Sequence, residues 1–312
     1  MAKKQHKILI VKLGYSETLI PEIGSICSLG DVFRTTPILN LFKDEHVTWL
    51  TDRAAVPLLE GNPYIDRILA FDLLSALQLE GERFDKVINL EKVPGICALA
   101  SKISAWAHFG FRLDQETGQA EAYEMAYEAL AVATRENIKK LNNKAWAELL
   151  FEMLGAKWQG ESFILGYQPR TTPEFDLGFN IHVGRLLPLK AWRLQHWDDL
   201  AALARDRYTV TYQQSLDNLY GYMDWINSCR LLITSDTLGL YLGIALGKKV
   251  LALMGPTSGR EQSPHPNLRL IYPDIDRDCL PCFQKTCEHD DPCMDYITPS
   301  RVMAAIREWG IE

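Results

Sequence analysis

Two segments of the chain bring together residue types that hold anions or move protons. In the first, residues 231–234 and 250–254 are short apolar runs without polar alternation, the pattern of parallel strands covered on both faces. Each ends in a polar loop: Ser235, Asp236 and Thr237 after one, Gly255, Pro256, Thr257 and Ser258 after the other. Ligands of open parallel sheets lie outside the carboxyl ends of the strands. Residues 238–246 read as the crossover helix, whose unpaired N–H groups suit a phosphate, with Asp236 as a cap or an acceptor from hydroxyls. A plain cap and an ordinary Gly255-Pro256 turn account for these residues equally well.

The second segment is Ser28-Leu-Gly-Asp31, followed by Arg34. Gly30 permits a tight turn and close approach of a substrate, and Asp31 sits where a helix begins. A carboxylate there is a candidate general base for a substrate hydroxyl, and equally a commonplace helix cap. A third cluster holds Cys279, Cys282, Cys287 and Cys293, two of them in C-x-x-C spacing, with His289 between. Four thiols at this spacing can complete a tetrahedral structural zinc site, or they are packing cysteines, reduced or partly disulfide-linked; the spacing alone leaves both open.

The elements that would position these groups alternate apolar runs with helical patterns, the mark of β-α-β units. Strands are expected at 7–13, 47–51, 67–71, 84–90 and 108–111, and helices at 31–43, 54–59, 72–80 and 96–107, before a long helical region at 120–154. The glycine- and proline-rich stretch 155–176 reads as a linker. Beyond it come strands at 177–183 and 208–212, helices at 197–205 and 219–227, and then the opening pair of strands. At 312 residues the chain has room for two cores, and seven cysteines without an export signal argue for a cytoplasmic protein. A net charge of −7 disfavours a nucleic-acid surface, so an anionic ligand must be held by local groups. No stretch has the length of a membrane span.

Taken in order, the motifs cover almost the whole chain. They are Lys7-Ile-Leu-Ile-Val-Lys-Leu13, Ser28-Leu-Gly-Asp31 running into Arg34-Thr-Thr-Pro37, Leu58 to Arg67, and Phe109-Gly-Phe111. Lys190-Ala-Trp192, Thr234-Ser-Asp-Thr237, Ala245-Leu-Gly247, Leu253-Met-Gly-Pro-Thr257 and Cys293-Met294 complete them. The series resembles glycosyltransferase family 9, the ADP-heptose:lipopolysaccharide heptosyltransferase family.

The resemblance implies an α/β protein of GT-B fold, two Rossmann-like domains with parallel sheets facing a central cleft. Residues 1–165 would take the acceptor and 176–298 the nucleotide-sugar, with the C-terminal helix, 299–312, packing back on the first domain. It implies inverting transfer that needs no metal ion or other cofactor, from an ADP-heptose donor to a lipid-linked or oligosaccharide acceptor such as a lipopolysaccharide core. Contact with the inner face of the membrane would be at most transient.

By position in the motifs, Asp31 matches the general base, with Ser28, Gly30 and Arg34 on the acceptor side. Lys190 matches a lysine near the donor phosphates, Asp236 and Thr237 match donor contacts, and Gly255, Pro256 and Thr257 match the adjoining wall. The sequence departs from the family pattern in three places. Tyr241 stands where the family has histidine, Gln213 and Gln214 stand where it has an acidic nucleotide contact, and residues 14–27 are an insertion, a lid or recognition loop on the acceptor side or a plain surface elaboration. Another nucleotide-sugar with another acceptor, or a non-catalytic nucleotide-sugar-binding module, are the competing expectations. His182 is expected as a satisfied buried histidine.

Overall fold

In strand β1 (Lys7–Val11) alternate side chains enter opposite cores: Ile8 and Ile10 pack with Trp49, Ile88 and Phe111, while Leu9 and Val11 pack with Leu50, Phe84 and Val87. A period of two across two buried faces is why the run reads as uninterruptedly apolar. The computed structural model describes residues 6–15, 26–213 and 217–311. The chain divides into two units between Tyr167 and Gln168.

The first unit continues through α1 (Leu29–Phe33), β2 (His46–Thr51), α2 (Val56–Leu59), β3 (Arg67–Ala70), α3 (Leu73–Glu80), β4 (Arg83–Asn89) and α4 (Pro94–Lys102). It ends with β5 (Ser104–Leu113), β6 (Ala120–Ala122), α5 (Tyr127–Thr134), α6 (Glu136–Leu141) and α7 (Trp146–Met153). Its sheet has the order β3-β2-β1-β4-β5-β6, parallel except for β6. Strand order reverses between β1 and β4, so their carboxyl ends flank a topological switch point.

The second unit holds β7 (Phe175–Asn180), α8 (Leu194–Ala204), β8 (Val210–Tyr212), α9 (Leu219–Asn227), β9 (Cys229–Ser235), α10 (Leu238–Ala245), β10 (Lys249–Leu253), β11 (Leu268–Ile271) and α11 (Pro299–Trp309). All five strands are parallel, in the order β11-β10-β9-β7-β8, and the order reverses between β7 and β9. Both units are Rossmann-like.

Three expectations are corrected. The helix expected at 31–43 breaks after α1 into a 3-10 turn, Thr36–Phe42. Pro37 lacks a donor, and the hydroxyls of Thr35 and Thr36 donate to the carbonyls of Val32 and Phe33, offering the backbone a local alternative. The long helix at 120–154 begins instead as β6, paired with Phe111–Leu113, and is then cut at Arg135 and Asn142, both extended. Asn142 closes a turn onto the backbone N–H and carbonyl of Lys144. The short strand at 108–111 is part of the ten-residue β5. In the second unit, α11 places Val302, Met303 and Ile306 in the core against α8. Trp192 Nε1 donates to Ile297 O at 2.8 Å and pins the chain that leads into it.

Among the described residues no helix is long and apolar enough to cross a membrane.

Candidate functional site

At the first switch point, Lys12 follows β1 directly and Glu91 lies just beyond β4. The Lys12 ammonium sits 2.5 Å from Asp31 Oδ2 and 3.2 Å from Glu91 Oε1. Glu91 is fully buried and accepts hydrogen bonds from the backbone N–H of Leu13 at 2.8 Å and Gly14 at 2.6 Å. On the other side of Asp31, Arg34 Nε lies 3.0 Å from Oδ1, and the guanidinium rests 4.8 Å from the centre of the Trp146 ring.

Local backbone geometry makes this possible. Gly14 has φ +83°, where a side chain would be strained and its Cβ would sit 2.8 Å from Ser28 O. That turn lets Gly14 O accept from Ser28 N at 2.8 Å and brings α1 back over the end of β1. Asn89 fixes the other wall, donating to Glu91 O at 3.0 Å and Phe111 O at 2.8 Å.

Burial by itself would raise the pKa of Asp31, but Lys12 and then Arg34 outweigh it and hold the carboxyl below its ordinary value. Burial would likewise lower that of Lys12, and the two carboxylates outweigh it and raise it. The cluster is thus a set of buried, mutually compensated ions.

Asp31 is not a cap. The N-cap of α1 is Ser28, and Asp31 lies inside the helix with its side chain turned to Lys12. Ser28 caps the same short helix, Gly30 precedes Asp31 within it, and Arg34 pairs with the carboxylate. Lys12 and Glu91 were missed by the sequence reading, although each is a charged residue just past an apolar strand run, where ligands of such sheets collect. Of the insertion, residues 16–25 lie outside the described residues. Its flanks include Tyr15, whose hydroxyl donates to Asp52, and Cys27, whose thiol burial pushes up to about 12.

The buried part of the second switch point is built from neutral groups, with the Asp236 carboxylate at its half-buried edge. Asn180, at the end of β7 and 1% exposed, donates to Thr234 Oγ1 at 2.7 Å and Thr237 Oγ1 at 3.0 Å, and accepts from the Tyr222 hydroxyl at 2.9 Å. Thr237 is the N-cap of α10 but makes no side-chain cap bond, so the hydroxyl is committed to Asn180 rather than to the first-turn N–H groups. Asp236, half-buried, accepts at Oδ1 from the Tyr241 hydroxyl and from Gln262 Nε2, both at 3.2 Å. Tyr241 is buried and aimed at Asp236. Gln262 was missed; as an amide in an irregular segment it carries no sequence signal.

Gln213 uses its carbonyl oxygen to accept from the backbone N–H of His182 at 2.9 Å. His182 itself is exposed, not buried, because its strand ends at Asn180. Gln214 lies outside the described residues. Lys190 ends a 3-10 turn, Pro188–Lys190, half-buried, and is not joined to the Asp236 network by a hydrogen bond or ion pair among the described residues.

The loop after β10 is pressed against the cysteine segment. A Cβ on Gly255 would meet Met294 Sδ at 2.4 Å and Cys293 Sγ at 3.1 Å, and Pro256 O accepts from Phe283 N at 2.8 Å. Thr257 Oγ1 is buried without a hydrogen-bond partner among the described residues. Cys279, Cys282, Cys287 and Cys293 are all free thiols and line one cavity with Arg277 and His289. Cys279 Sγ lies 3.8 Å from His289 Nε2, and burial pushes Cys293 up to about 11. The cysteines therefore share a cavity, yet among the described residues no three His, Cys, Asp or Glu side chains are grouped as an ion would require.

No protein-family model matches the chain. A stretch of 81 residues is 32% identical to lipooligosaccharide heptosyltransferase 2 of Campylobacter jejuni subsp. jejuni; the match spans 26% of this chain and 26% of that enzyme. Among solved structures, E. coli heptosyltransferase WaaC with ADP-2-deoxy-2-fluoro heptose superposes with a TM-score of 0.62 at 15% identity, over 97% of this chain and 100% of that one. E. coli ADP-heptose lps heptosyltransferase II gives 0.66 at 14% identity over the same shares. The chain has the GT-B fold of these heptosyltransferases, two Rossmann-like domains, and resembles glycosyltransferase family 9.

Proposed function

We propose that the protein is an inverting glycosyltransferase that moves a heptose from ADP-heptose to a lipopolysaccharide-core or related saccharide acceptor without a metal ion. The observation that carries this reading is the buried Lys12–Asp31–Arg34–Glu91 cluster at the first switch point, which supplies an ionised carboxylate where an acceptor hydroxyl would arrive. Asp31 serves as the base. Both of its oxygens already face cations of the chain itself, which keeps the carboxyl ionised and leaves little call for a metal ion beside it.

The first unit takes the acceptor and the second the donor. Donor binding is supported by the uncapped start of α10, by the orphaned hydroxyl of Thr257, and by the ADP-sugar carried by the similar E. coli structure. Lys190, Asp236, Thr237 and the Gly255-Pro256-Thr257 loop hold the diphosphate and sugar, and cationic and backbone donors take up the charge that develops on the leaving group. The enzyme works in the cytoplasm, and it meets a lipid-linked acceptor through recognition of that acceptor; liposomes lacking it should not carry the protein in flotation.

The test is release of ADP from ADP-heptose in the presence of a deacylated lipooligosaccharide core, with and without EDTA. Transfer unaffected by the chelator is expected. A second reading, another nucleotide-sugar as donor, is favoured by Tyr241 and by the engaged carbonyl of Gln213. A panel of nucleotide-sugars decides between them, and no turnover with any would leave only a binding module.

A further inference from the structure

The two carboxylate oxygens of Asp31 are not equivalent. Oδ2 lies against Lys12, whose side chain is 4% exposed, whereas Oδ1 lies beside Arg34, which is 14% exposed and rests on Trp146. The Lys12 ammonium is caught between Asp31 and Glu91, and Glu91 is itself fixed by two backbone N–H groups. An ammonium so enclosed cannot swing out to a substrate. It can dictate how Asp31 meets one.

We propose that Lys12 is a positioning residue for the transfer: clamped by Glu91, it ties Asp31 back through Oδ2 and leaves Oδ1 as the oxygen that takes the acceptor proton. This rests on the reading of Asp31 as the base. In the step, the acceptor O–H proton passes to Asp31 Oδ1 while the acceptor oxygen bonds to the anomeric carbon. The bond from that carbon to the diphosphate oxygen breaks, and its electron pair leaves on the nucleoside diphosphate. No further reactant is consumed.

Glu91 is the other half of the device. Without it Asp31 would face Lys12 and Arg34, with Lys92 beyond them, and a carboxylate among cations alone accepts a proton poorly. With it, the buried Lys12 and the half-buried Arg34 are matched by two anions. Among the described residues the remaining groups on this side are Cys27, Tyr15 and Asp52: burial pushes the thiol and the phenol up, so both stay neutral, and Asp52 accepts from the Tyr15 hydroxyl.

The experiment is a pH profile of transfer from ADP-heptose to deacylated core, with Lys12→Met and Glu91→Gln. Lys12→Met keeps the apolar stem and removes the cation that favours ionised Asp31. Turnover should fall about 100-fold, the donor KM should change by less than about threefold, and the acid limb should move up by about one pH unit or more. Glu91→Gln keeps an oxygen for Leu13 and Gly14 but removes an anion; its turnover should fall while its acid limb does not move up.

A residue that merely held the fold would lower turnover and leave the profile in place. Wild-type turnover in Lys12→Met, or lost turnover with an unmoved acid limb, overturns the proposal. Should Lys12→Met fail to fold, the double variant Lys12→Met/Glu91→Gln removes the pair together and is read by the same limb. Asp31→Asn separates the two failures: if it retains turnover, Asp31 is not the base, whereas an inactive Asp31→Asn beside an active Lys12→Met overturns the positioning role alone.

Discussion

At the carboxyl ends of β1 and β4 the first unit buries Lys12, Asp31 and Glu91 with Arg34 beside them; at those of β7 and β9 the second buries Asn180, Thr234 and Tyr222, with Thr237 half-buried beside them. The two places are equivalent in topology, each a point where strand order reverses. Their chemistry is not. A group that must take a proton has to be ionised before the reaction, and burying such a group is tolerable only with partners of opposite charge. A site for an anion needs the reverse in its buried part: neutral side chains there, with the Asp236 carboxylate only half-buried and engaged by two donors, and a helix start left open. One scaffold thus carries a charged pole and a neutral one, and each prediction below asks whether that division is real.

The largest effect expected is at the charged pole. Asp31→Asn preserves shape but cannot accept a proton, so turnover should fall by roughly 100-fold or more while donor affinity stays within about twofold. Steady-state transfer and calorimetry with ADP check the two halves. Unchanged turnover would remove the proton-taking role and with it the contrast.

Next is the cation assigned to the neutral pole. Lys190→Ala should weaken ADP binding by about 1.5–3 kcal/mol, roughly 10- to 150-fold, the worth of a hydrogen bond to a charged group. Equal affinities for the two proteins would leave the diphosphate to the α10 start and the Thr257 loop.

The poles should also answer pH differently. Asp31 titrates below its ordinary 3.8 in the folded protein, so its pairing stabilises the fold fully above about pH 4. That contribution is lost as pH falls through the lowered value. Lys12 titrates above 10.5, so its share is complete below that pH and is lost as pH rises through the raised value. Asp31→Asn should therefore cost about 1–3 kcal/mol in urea unfolding at pH 7 and progressively less toward pH 3. Asn180→Ala leaves Thr234, Thr237 and Tyr222 short of partners and should cost about the same, but evenly from pH 4 to 8, because burial keeps Tyr222 neutral throughout. A pH-dependent cost at Asn180 would contradict a neutral pole.

Much of this was legible before any coordinates. The apolar runs 231–234 and 250–254 gave both strands and the loops that follow them, because parallel strands buried on two faces leave no polar alternation. Asp31 stood out through Gly30 and the motif around it. What stayed hidden depends on contacts distant in sequence: Lys12 meets Glu91 only because β1 and β4 are neighbours in the sheet. Gln262 reaches Asp236 from an irregular segment, and Asn180 is an unremarkable residue at a strand end until Thr234 and Thr237 come beside it. The helix at 120–154 misled because its alanine-rich composition carries high intrinsic propensity, and pairing with β5 and the turn at Asn142 overrode it.

The smallest effect expected is the finest probe of the neutral pole. Tyr241 stands where the family has histidine, and its hydroxyl donates to Asp236 Oδ1 at 3.2 Å, an oxygen shared with Gln262. A tyrosine there orients the carboxylate without adding the positive charge an imidazolium would bring. Tyr241→Phe removes one of two donors to that oxygen and leaves the ring packed, so ADP affinity should drop by only about threefold to tenfold, the net worth of one hydrogen bond. Tyr241→His should act differently if this position selects the donor: it would strengthen ADP binding relative to the wild type as pH falls through the histidine range, near 6.5, the titration of ADP's own terminal phosphate being common to both. Calorimetry of ADP binding to the three proteins from pH 5.5 to 8 measures both. Equal pH responses of the wild type and Tyr241→His would show that this position does not face the donor.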